Sequence, residues 1–290
     1  MSGNTFLYLI IALLTVNIGY AEAHSETNSE SNFILPASQQ PGPLIGFGQT
    51  ILDRNETQLA IFANPFFGAN THFVNVTPSI TYGLTDKLAF LLNVPVAASF
   101  KNNQQYSAGL EDTYLQLEYA FYAKQTQGTS DQATILSGVN FATGSSTAQP
   151  PTGFGSPSFF IGSTYDHTTA NWFAFAAPGA LLTTSNNNTR FGNQFLYQGG
   201  LGRNIMNIDA KWILAWMVEA DGIYFQKNIK NGITDPNSGG NVVYVTPSLW
   251  FSSKTLIIQP GVGFPVIQHL FGNQNKNSYL LALSLSWTFH

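Results

Sequence analysis

The chain has 290 residues, of which 9% are charged and 14% are aromatic, and its formal net charge is −4. It contains no cysteine, which excludes disulfide bonds, a lipid-bearing cysteine and thiolate metal sites. The small number of charges and their slightly negative balance argue against a nucleic-acid partner.

The N-terminal residues 1–23 have the features of a secretory signal peptide. An apolar segment, Leu7–Val16, is followed by the small-x-small cleavage sequence Ala21–Ala23. This segment is too short for a good membrane span, although an N-terminal membrane anchor is the alternative. Residues 24–56 are rich in Ser, Asn, Glu, Pro and Gly, a composition that cannot bury a core of its own. We interpret them as an irregular N-terminal leader or a short plug.

Residues 57–290 are predicted to form twelve long strands. Apolar and polar residues alternate over about ten positions at a time, which is typical of a tilted strand that crosses a bilayer. In the segment from Thr113, for example, Leu115 and Leu117 share one face, while Gln116 and Glu118 share the other. The predicted strands are 57–64, 71–83, 88–98, 108–122, 131–142, 155–167, 171–183, 190–205, 209–223, 241–252, 254–265 and 277–290.

The predicted connections alternate between short and long. Leu84–Lys87 and Thr168–Ala170 are short, Thr143–Phe154 and Gln226–Gly240 are long, and Ala123–Ser130 is longer than a tight turn. Outer-membrane barrels have short periplasmic turns and long external loops, and an even number of strands puts both termini in the periplasm. We therefore predict an all-β fold, a transmembrane antiparallel up-and-down β-barrel of about 12 strands in the bacterial outer membrane, preceded by the signal peptide and a periplasmic leader or plug.

The last predicted strand, 277–290, alternates between large apolar residues and small ones over Ser278–His290. Leu283 and Trp287 are on one face, and Ser284 is on the other. We predict that this strand closes the barrel with its apolar face towards lipid, and that the barrel-assembly machinery is a partner through it. The chain ends in His290, so the usual terminal aromatic residue is displaced by one position.

Aromatic residues are predicted to form two girdles, one at each membrane interface. The residues assigned to the periplasmic girdle are Tyr82, Phe121, Tyr165, Trp212, Phe251 and Trp287. The residues assigned to the external girdle are Phe73, Phe141, Phe191, Phe264 and Tyr279.

Three segments resemble a known family. Gly109–Tyr122, with the sequence GLEDTYLQLEYAFY, resembles a recurring Gly-x-x-Asp strand of the outer-membrane transporters of the MetA pathway of phenol degradation. Gly153–His167 is similar to another strand of that family, and Gly46–Ala60 is similar to its leader into the first strand. The resemblance covers most of the chain after the signal peptide. It implies a channel or transporter for small solutes, aromatic or hydrophobic ones among them, and it supplies no catalytic residues.

The alternation also predicts which side chains face the lumen. These lumen-lining residues are Asp112, Tyr114, Glu118, Asp166, Trp172, Arg190, Lys211, Glu219, Asp221, Tyr244 and Trp250. Carboxylates outnumber basic groups among them, and rings of Asp and Glu favour cations in channels. The lumen is therefore predicted to suit neutral aromatic or cationic solutes, with Glu118 as the main determinant of cation preference. The alternative is a closed barrel that is filled by its own side chains.

An enzyme of the same architecture is the alternative in another functional class. Outer-membrane acyl hydrolases use Ser with His. His72 and His269 are predicted to lie near serines at the external end, but no nucleophile elbow or paired motif accompanies them. A structural or adhesive barrel is the third possibility, and no spacing of His and carboxylates predicts a metal site. We predict a passive channel or transporter that is not an enzyme and has no cofactor or metal, with outer-membrane lipid and a small-molecule solute as partners.

Overall fold

A computed structural model describes residues 32–48, 51–186, 188–208 and 211–289. The predicted signal peptide, residues 24–31 and 49–50 of the predicted leader, the first two residues of the predicted strand 209–223, and His290 lie outside the described residues. Two short 3-10 helices, Asn32–Ile34 and Ala37–Gln39, precede a long series of strands. Among the described residues, no helix is long and apolar enough to cross a membrane.

The strands are long and follow one another along the chain. Their bounds are β1 (Thr57–Ala63), β2 (Phe66–Gly68), β3 (Thr71–Thr85), β4 (Leu88–Asn93), β5 (Val96–Asn102), β6 (Gln105–Leu110), β7 (Thr113–Gln125), β8 (Thr129–Phe141), β9 (Ser158–Thr169), β10 (Trp172–Thr183), β11 (Gln194–Ile208), β12 (Trp212–Phe225), β13 (Ile229–Lys230), β14 (Ile233–Thr234), β15 (Gly240–Ser252), β16 (Leu256–Leu270) and β17 (Asn277–Phe289).

These segments form a closed barrel of twelve antiparallel strands. β1 and β2 both pair with β3 and β17, so they are two halves of one interrupted strand. In the same way β4 and β5 both pair with β3, while β7 and β6 pair with β4 and β5 respectively. β13 and β14 form a separate small hairpin. Because β1 bridges β17 and β3, the sheet closes on itself, and the predicted twelve-stranded barrel is confirmed.

The alternation of residue type along each strand sets which side chains face outward. In β17, Leu283 and Trp287 are exposed on the outer surface, while Ser284 and Ser286 are buried inside the barrel. The predicted alternation of this strand and its closure of the barrel are confirmed, since successive side chains of a strand point to opposite faces and β17 pairs with β1. Mid-strand residues such as Leu201, which is 48% exposed, make the outer surface apolar.

The two ends of the barrel differ in their connections. At one end, the short-turn end, connections such as 86–87, 126–128 and 170–171 are tight. The apparent exception at Ala123–Ser130 disappears because β7 and β8 continue into it. At the other end, the long-loop end, the loops are 142–157, 184–193, 226–239 and 271–276, although two connections there, 69–70 and 103–104, are also short.

The leader, residues 32–48, lies inside the barrel. Leu35 packs with Phe173 and Met217 of the wall, and Leu44 packs with Leu280. Fully burying a side chain of this size stabilises a fold by about 1.5–3 kcal/mol. The apolar core of the protein therefore lies between the leader and the part of the wall that runs from β10 to β17.

Candidate functional site

A buried carboxylate holds the innermost part of the leader. Glu219, on β12, has no exposed surface, and its two oxygens accept hydrogen bonds from the backbone N–H groups of Leu44 (2.6 Å), Ile45 (3.1 Å) and Gly46 (3.0 Å). Successive backbone N–H groups that point to one place form a concave site that binds anions. Glu219 therefore fixes the leader by a contact that only a side chain with two acceptor oxygens can make.

Uncharged hydrogen bonds fix the rest of the leader. Gln39 donates from Nε2 to Oγ1 of Thr288 (2.6 Å), and its carbonyl accepts a hydrogen bond from Oγ of Ser252 (2.9 Å). Gln259 donates from Nε2 to the carbonyl of Gly42 at 3.2 Å. The leader is thus bonded along its length to strands β12, β15, β16 and β17.

Two wall glycines make room for a leader side chain. Gly162 and Gly179 are paired in register on β9 and β10. A Cβ added to either glycine would lie 2.8 Å from an atom of the Phe47 ring, so a larger residue there would displace that ring. The ring also packs edge-on against Phe160, with the centroids 4.9 Å apart. The wall is therefore shaped to receive Phe47.

A cavity of about 840 Å³, here called the lumen cavity, remains between the leader and the opposite part of the wall. Its lining extends from Ser130 and Thr168, near the short-turn end, to Phe154 and Phe191 in the long loops. The side chains that distinguish it are amides, carboxyls and rings, among them Asn75, Asn93, Glu111, Asp112, Tyr114, Gln116, Gln132, Asn140, Phe160 and Asp166. The interior is therefore not filled by its own side chains.

The lumen cavity contains acidic groups without basic ones. All eleven Lys and Arg residues are in the described part of the chain, and none of them lines this cavity or is buried. Glu111, Asp112 and Asp166 do line it. The cavity therefore presents negative charge and hydrogen-bonding amides to any solute inside it.

Eight of the predicted lumen residues face the interior. They are Asp112, Tyr114, Glu118, Asp166, Glu219, Asp221, Tyr244 and Trp250. Asp112 accepts hydrogen bonds from the backbone N–H groups of Gly144 (3.0 Å) and Phe154 (2.7 Å), so it anchors the loop 142–157. Tyr244 accepts a hydrogen bond from Nδ2 of Asn277 at 2.6 Å. These two residues therefore also have structural roles.

Glu118 faces the interior of the barrel but does not line the lumen cavity. It is 1% exposed, and its Oε1 accepts a hydrogen bond from Thr134 at 2.7 Å. Thr134 is in turn hydrogen-bonded to Thr164 at 2.7 Å. Glu118 is not among the residues that line the cavity, so Glu111, Asp112 and Asp166 are better placed to contact a solute.

The assignment of Trp172 to the lumen is wrong. Trp172 is 40% exposed on the outer surface, where its ring lies 5.2 Å from the guanidinium carbon of Arg203 and 6.0 Å from the ring of Trp216. Both Trp172 and Phe173 are aromatic, so the alternation alone could not decide which of them faces inward. The structure gives that position to Phe173, which is buried.

Arg190 and Lys211 do not line the lumen either. β11 begins at Gln194, so Arg190 lies in the loop 184–193, where its backbone pairs with Ile229. Lys211 is exposed in the turn before β12 and donates its N–H to the carbonyl of Ile208. In both cases the predicted strand began too early, because polar turn residues continued the alternation by chance.

Two of the predicted girdle residues are also placed differently. Phe73 faces inward and packs edge-on against the buried Phe100, with the centroids 5.1 Å apart. Phe191 lies in a loop and packs against Phe154 at 5.3 Å. The predicted lumen residues do not include the inward amides such as Asn75. The sequence does show a polar face there, because Asn75 shares its face with the polar residues two and four positions further along the chain.

The long-loop end carries an ion pair. Nζ of Lys230 lies 2.7 Å from Oδ2 of Asp235. The hydrogen bond from Lys230, with a further one from the backbone N–H of Asn237, lowers the pKa of Asp235 below its ordinary value. No group of three or more His, Asp or Glu residues in the described ranges could hold a metal ion.

The barrel resembles solved structures of outer-membrane proteins. An outer membrane channel from Pseudomonas putida F1 superposes with a TM-score of 0.66 at 13% identity, over 84% of this chain and 100% of that chain. At that identity the likeness shows a shared barrel fold alone. LpxR from Salmonella typhimurium (TM-score 0.49, 8% identity, 80% of this chain and 100% of that one) and the NanC porin (0.47, 10%, 80% and 99%) score too low to support an inference. The sequence matches no protein-family model and no curated protein.

Proposed function

We propose that this protein is a passive channel of the bacterial outer membrane for small solutes. The observation that carries the proposal is the lumen cavity of about 840 Å³, which extends from one end of the barrel towards the other beside the leader. A twelve-stranded barrel is wider than the eight-stranded size that side chains alone fill. The leader then narrows the passage and leaves one side of it free for a solute.

The outer surface supports a position in a lipid bilayer. Large apolar side chains such as Ile161, Leu201 and Leu249 are about half exposed within their strands. Exposed apolar surface on this scale indicates a membrane or a protein partner. In this proposal the short-turn end is periplasmic and the long loops are external, so both chain termini are periplasmic. β17 is then the strand that the barrel-assembly machinery recognises.

The lining of the lumen cavity supports neutral or cationic solutes. Carboxyl groups without basic partners disfavour anions, and confined charge is screened less than charge on an open surface. Aromatic rings such as those of Tyr114 and Phe160, which are 6.4 Å apart, add apolar contact area. Together with the resemblance to transporters of the MetA pathway of phenol degradation, these rings make small aromatic compounds the first solutes to test.

Conductance and liposome swelling test the channel proposal. The purified barrel should conduct ions in a planar bilayer and admit small neutral solutes into liposomes. Gln132→Trp adds a bulky ring to the lumen cavity and should lower the conductance, whereas Ala133→Trp, one residue along and on the outer face, should not. A correctly folded barrel that conducts nothing, or equal effects of the two variants, would contradict the proposal.

A second candidate function has one observation in its favour. Nε2 of His72 lies 2.9 Å from Oγ of Ser99, the contact expected of a serine nucleophile and its general base. Within the described residues, no group is hydrogen-bonded to the other ring nitrogen of His72 to orient it. Ester hydrolysis by the detergent-solubilised protein that is lost in Ser99→Ala and kept in Ser137→Ala, a serine on the outer face of β8, would establish an acyl hydrolase.

A further inference from the structure

A second cavity, here called the loop cavity, lies at the long-loop end and has a volume of about 720 Å³. The loops 184–193, 226–239 and 271–276 line it, together with the ends of β3 and β5. Its volume falls within the range of roughly 300–1,000 Å³ that is usual for small-molecule sites. It is therefore large enough for a small-molecule ligand that contains several rings.

The loop cavity is lined mainly by amides. Eleven of its 23 lining residues are Asn or Gln, so amides dominate the hydrogen-bonding groups that a ligand would meet. An amide offers two donors and an acceptor with two lone pairs at fixed spacing. A hydroxyl group can also donate and accept hydrogen bonds. Neighbouring hydroxyls on one ring can therefore pair with the NH₂ and carbonyl groups of the amides.

The loop cavity is electrically balanced. Its only charged lining residues among the described ones are Lys230 and Asp235, which pair with each other at 2.7 Å. A charged ligand would lose its hydration shell without gaining an unpaired counter-charge. The site therefore selects against both anions and cations, unlike the acidic lumen cavity below it.

Hydrogen bonds hold the loops and leave some amides available to a ligand. Gln274 donates to the carbonyl of Gly239 (2.8 Å), and Asn237 accepts a hydrogen bond from the backbone N–H of Asn273 (2.8 Å). The side chains of Gln226 and Asn273 have no hydrogen-bond partner within the described residues, and both line the cavity. A ligand would therefore meet free amides on loops that are already ordered, which lowers the entropic cost of binding.

Aromatic rings complete the lining. Phe154 and Phe191 pack at 5.3 Å, and both line the loop cavity and the lumen cavity. The negative face of an aromatic ring attracts the weakly positive C–H groups of a saturated ring. Because the two cavities share these residues, a ligand in the loop cavity would stand at the entrance to the lumen cavity.

We propose that the loop cavity binds uncharged saccharides and delivers them to the lumen cavity. The delivery step rests on the proposed channel function, whereas the binding step does not. Amides recognise the hydroxyls, the phenylalanine rings cover the C–H faces, and the paired charges exclude ionised sugars.

Saccharide binding is tested on the full barrel in detergent micelles by isothermal titration with maltotriose. Maltotriose should bind, while glucuronate and phenol should bind at least tenfold more weakly. Gln226→Ala and Asn273→Ala should each weaken the binding of maltotriose about fivefold, the loss of one neutral hydrogen bond. Gln127→Ala, an exposed glutamine at the short-turn end, is the matched control and should change nothing.

The outcomes separate the two proposals. Absence of maltotriose binding to a folded, conducting barrel would overturn this inference and leave the channel function standing. Equal weakening by Gln127→Ala, or tighter binding of phenol than of maltotriose, would also overturn it. Binding without conductance would support the site and contradict the channel.

Discussion

The barrel wall has an apolar outer surface throughout, but its inner surface differs between two parts, β3 to β9 and β10 to β17. From β10 to β17, inward residues such as Phe175, Met217 and Trp250 are buried against the leader. From β3 to β9, inward residues such as Asn75 and Gln132 line the lumen cavity. Alternation therefore builds a wall everywhere, while the identity of the inward residue decides whether that wall packs against the leader or leaves a passage.

The largest expected effect of this difference is on stability. Ala215→Arg should cost about 3–5 kcal/mol, because Ala215 has no exposed surface and its apolar neighbours offer no partner for a buried charge. Gln132→Arg introduces the same side chain beside the lumen cavity and should cost less than about 1 kcal/mol. Urea unfolding in lipid vesicles measures both.

A third variant measures the cost in stability of the same charge on the outer surface. Leu201→Arg places the charge at mid-strand on the outer face and should cost roughly 2–4 kcal/mol if that face contacts lipid. Similar costs for Ala215→Arg and Gln132→Arg would mean that the two parts of the wall do not differ as described.

The strands and their faces could be predicted because alternation is a local property of the sequence. Leu117 is on the outer face and Gln116 on the inner one, as the pattern of β7 indicates. The site could be predicted only in part, because the partners of its residues are distant in the chain. Glu219 binds backbone groups more than 170 positions away, and nothing in the alternation of β12 indicates this contact. Trp172 was misplaced since the adjacent Phe173 fits the same pattern.

The second prediction concerns what holds the leader in place. Glu219→Gln replaces one acceptor oxygen by a donor NH₂, so at least one of the three N–H groups of residues 44–46 loses its partner. The leader should be destabilised inside the barrel by about 1.5–3 kcal/mol. Protease cleavage within the leader of the folded protein should become faster, and single-channel current should become noisier.

The matched control for the leader is Asp112→Asn. It makes the same chemical change in the other part of the wall, where the carboxylate holds the loop 142–157 and not residues 32–48. Asp112→Asn should leave leader cleavage unchanged. Faster cleavage in both variants would show that any loss of an interior carboxylate loosens the barrel.

The smallest expected effect is on ion selectivity, and it depends on which carboxylates reach the solute. Glu111 lines the lumen cavity, whereas Glu118 is hydrogen-bonded to Thr134 and does not line the cavity. Removing a charge that faces the pathway lowers the local concentration of cations. Removing a charge that is screened by intervening side chains lowers it less. Glu111→Gln should therefore lower the cation-to-anion permeability ratio by roughly twofold, and Glu118→Gln should lower it less. Reversal potentials across a salt gradient measure both ratios in the same barrel. A larger effect of Glu118→Gln would place the conducting path beside Glu118 and not along the lumen cavity, and an anion preference in the parent protein would likewise show that the lumen cavity is not the path.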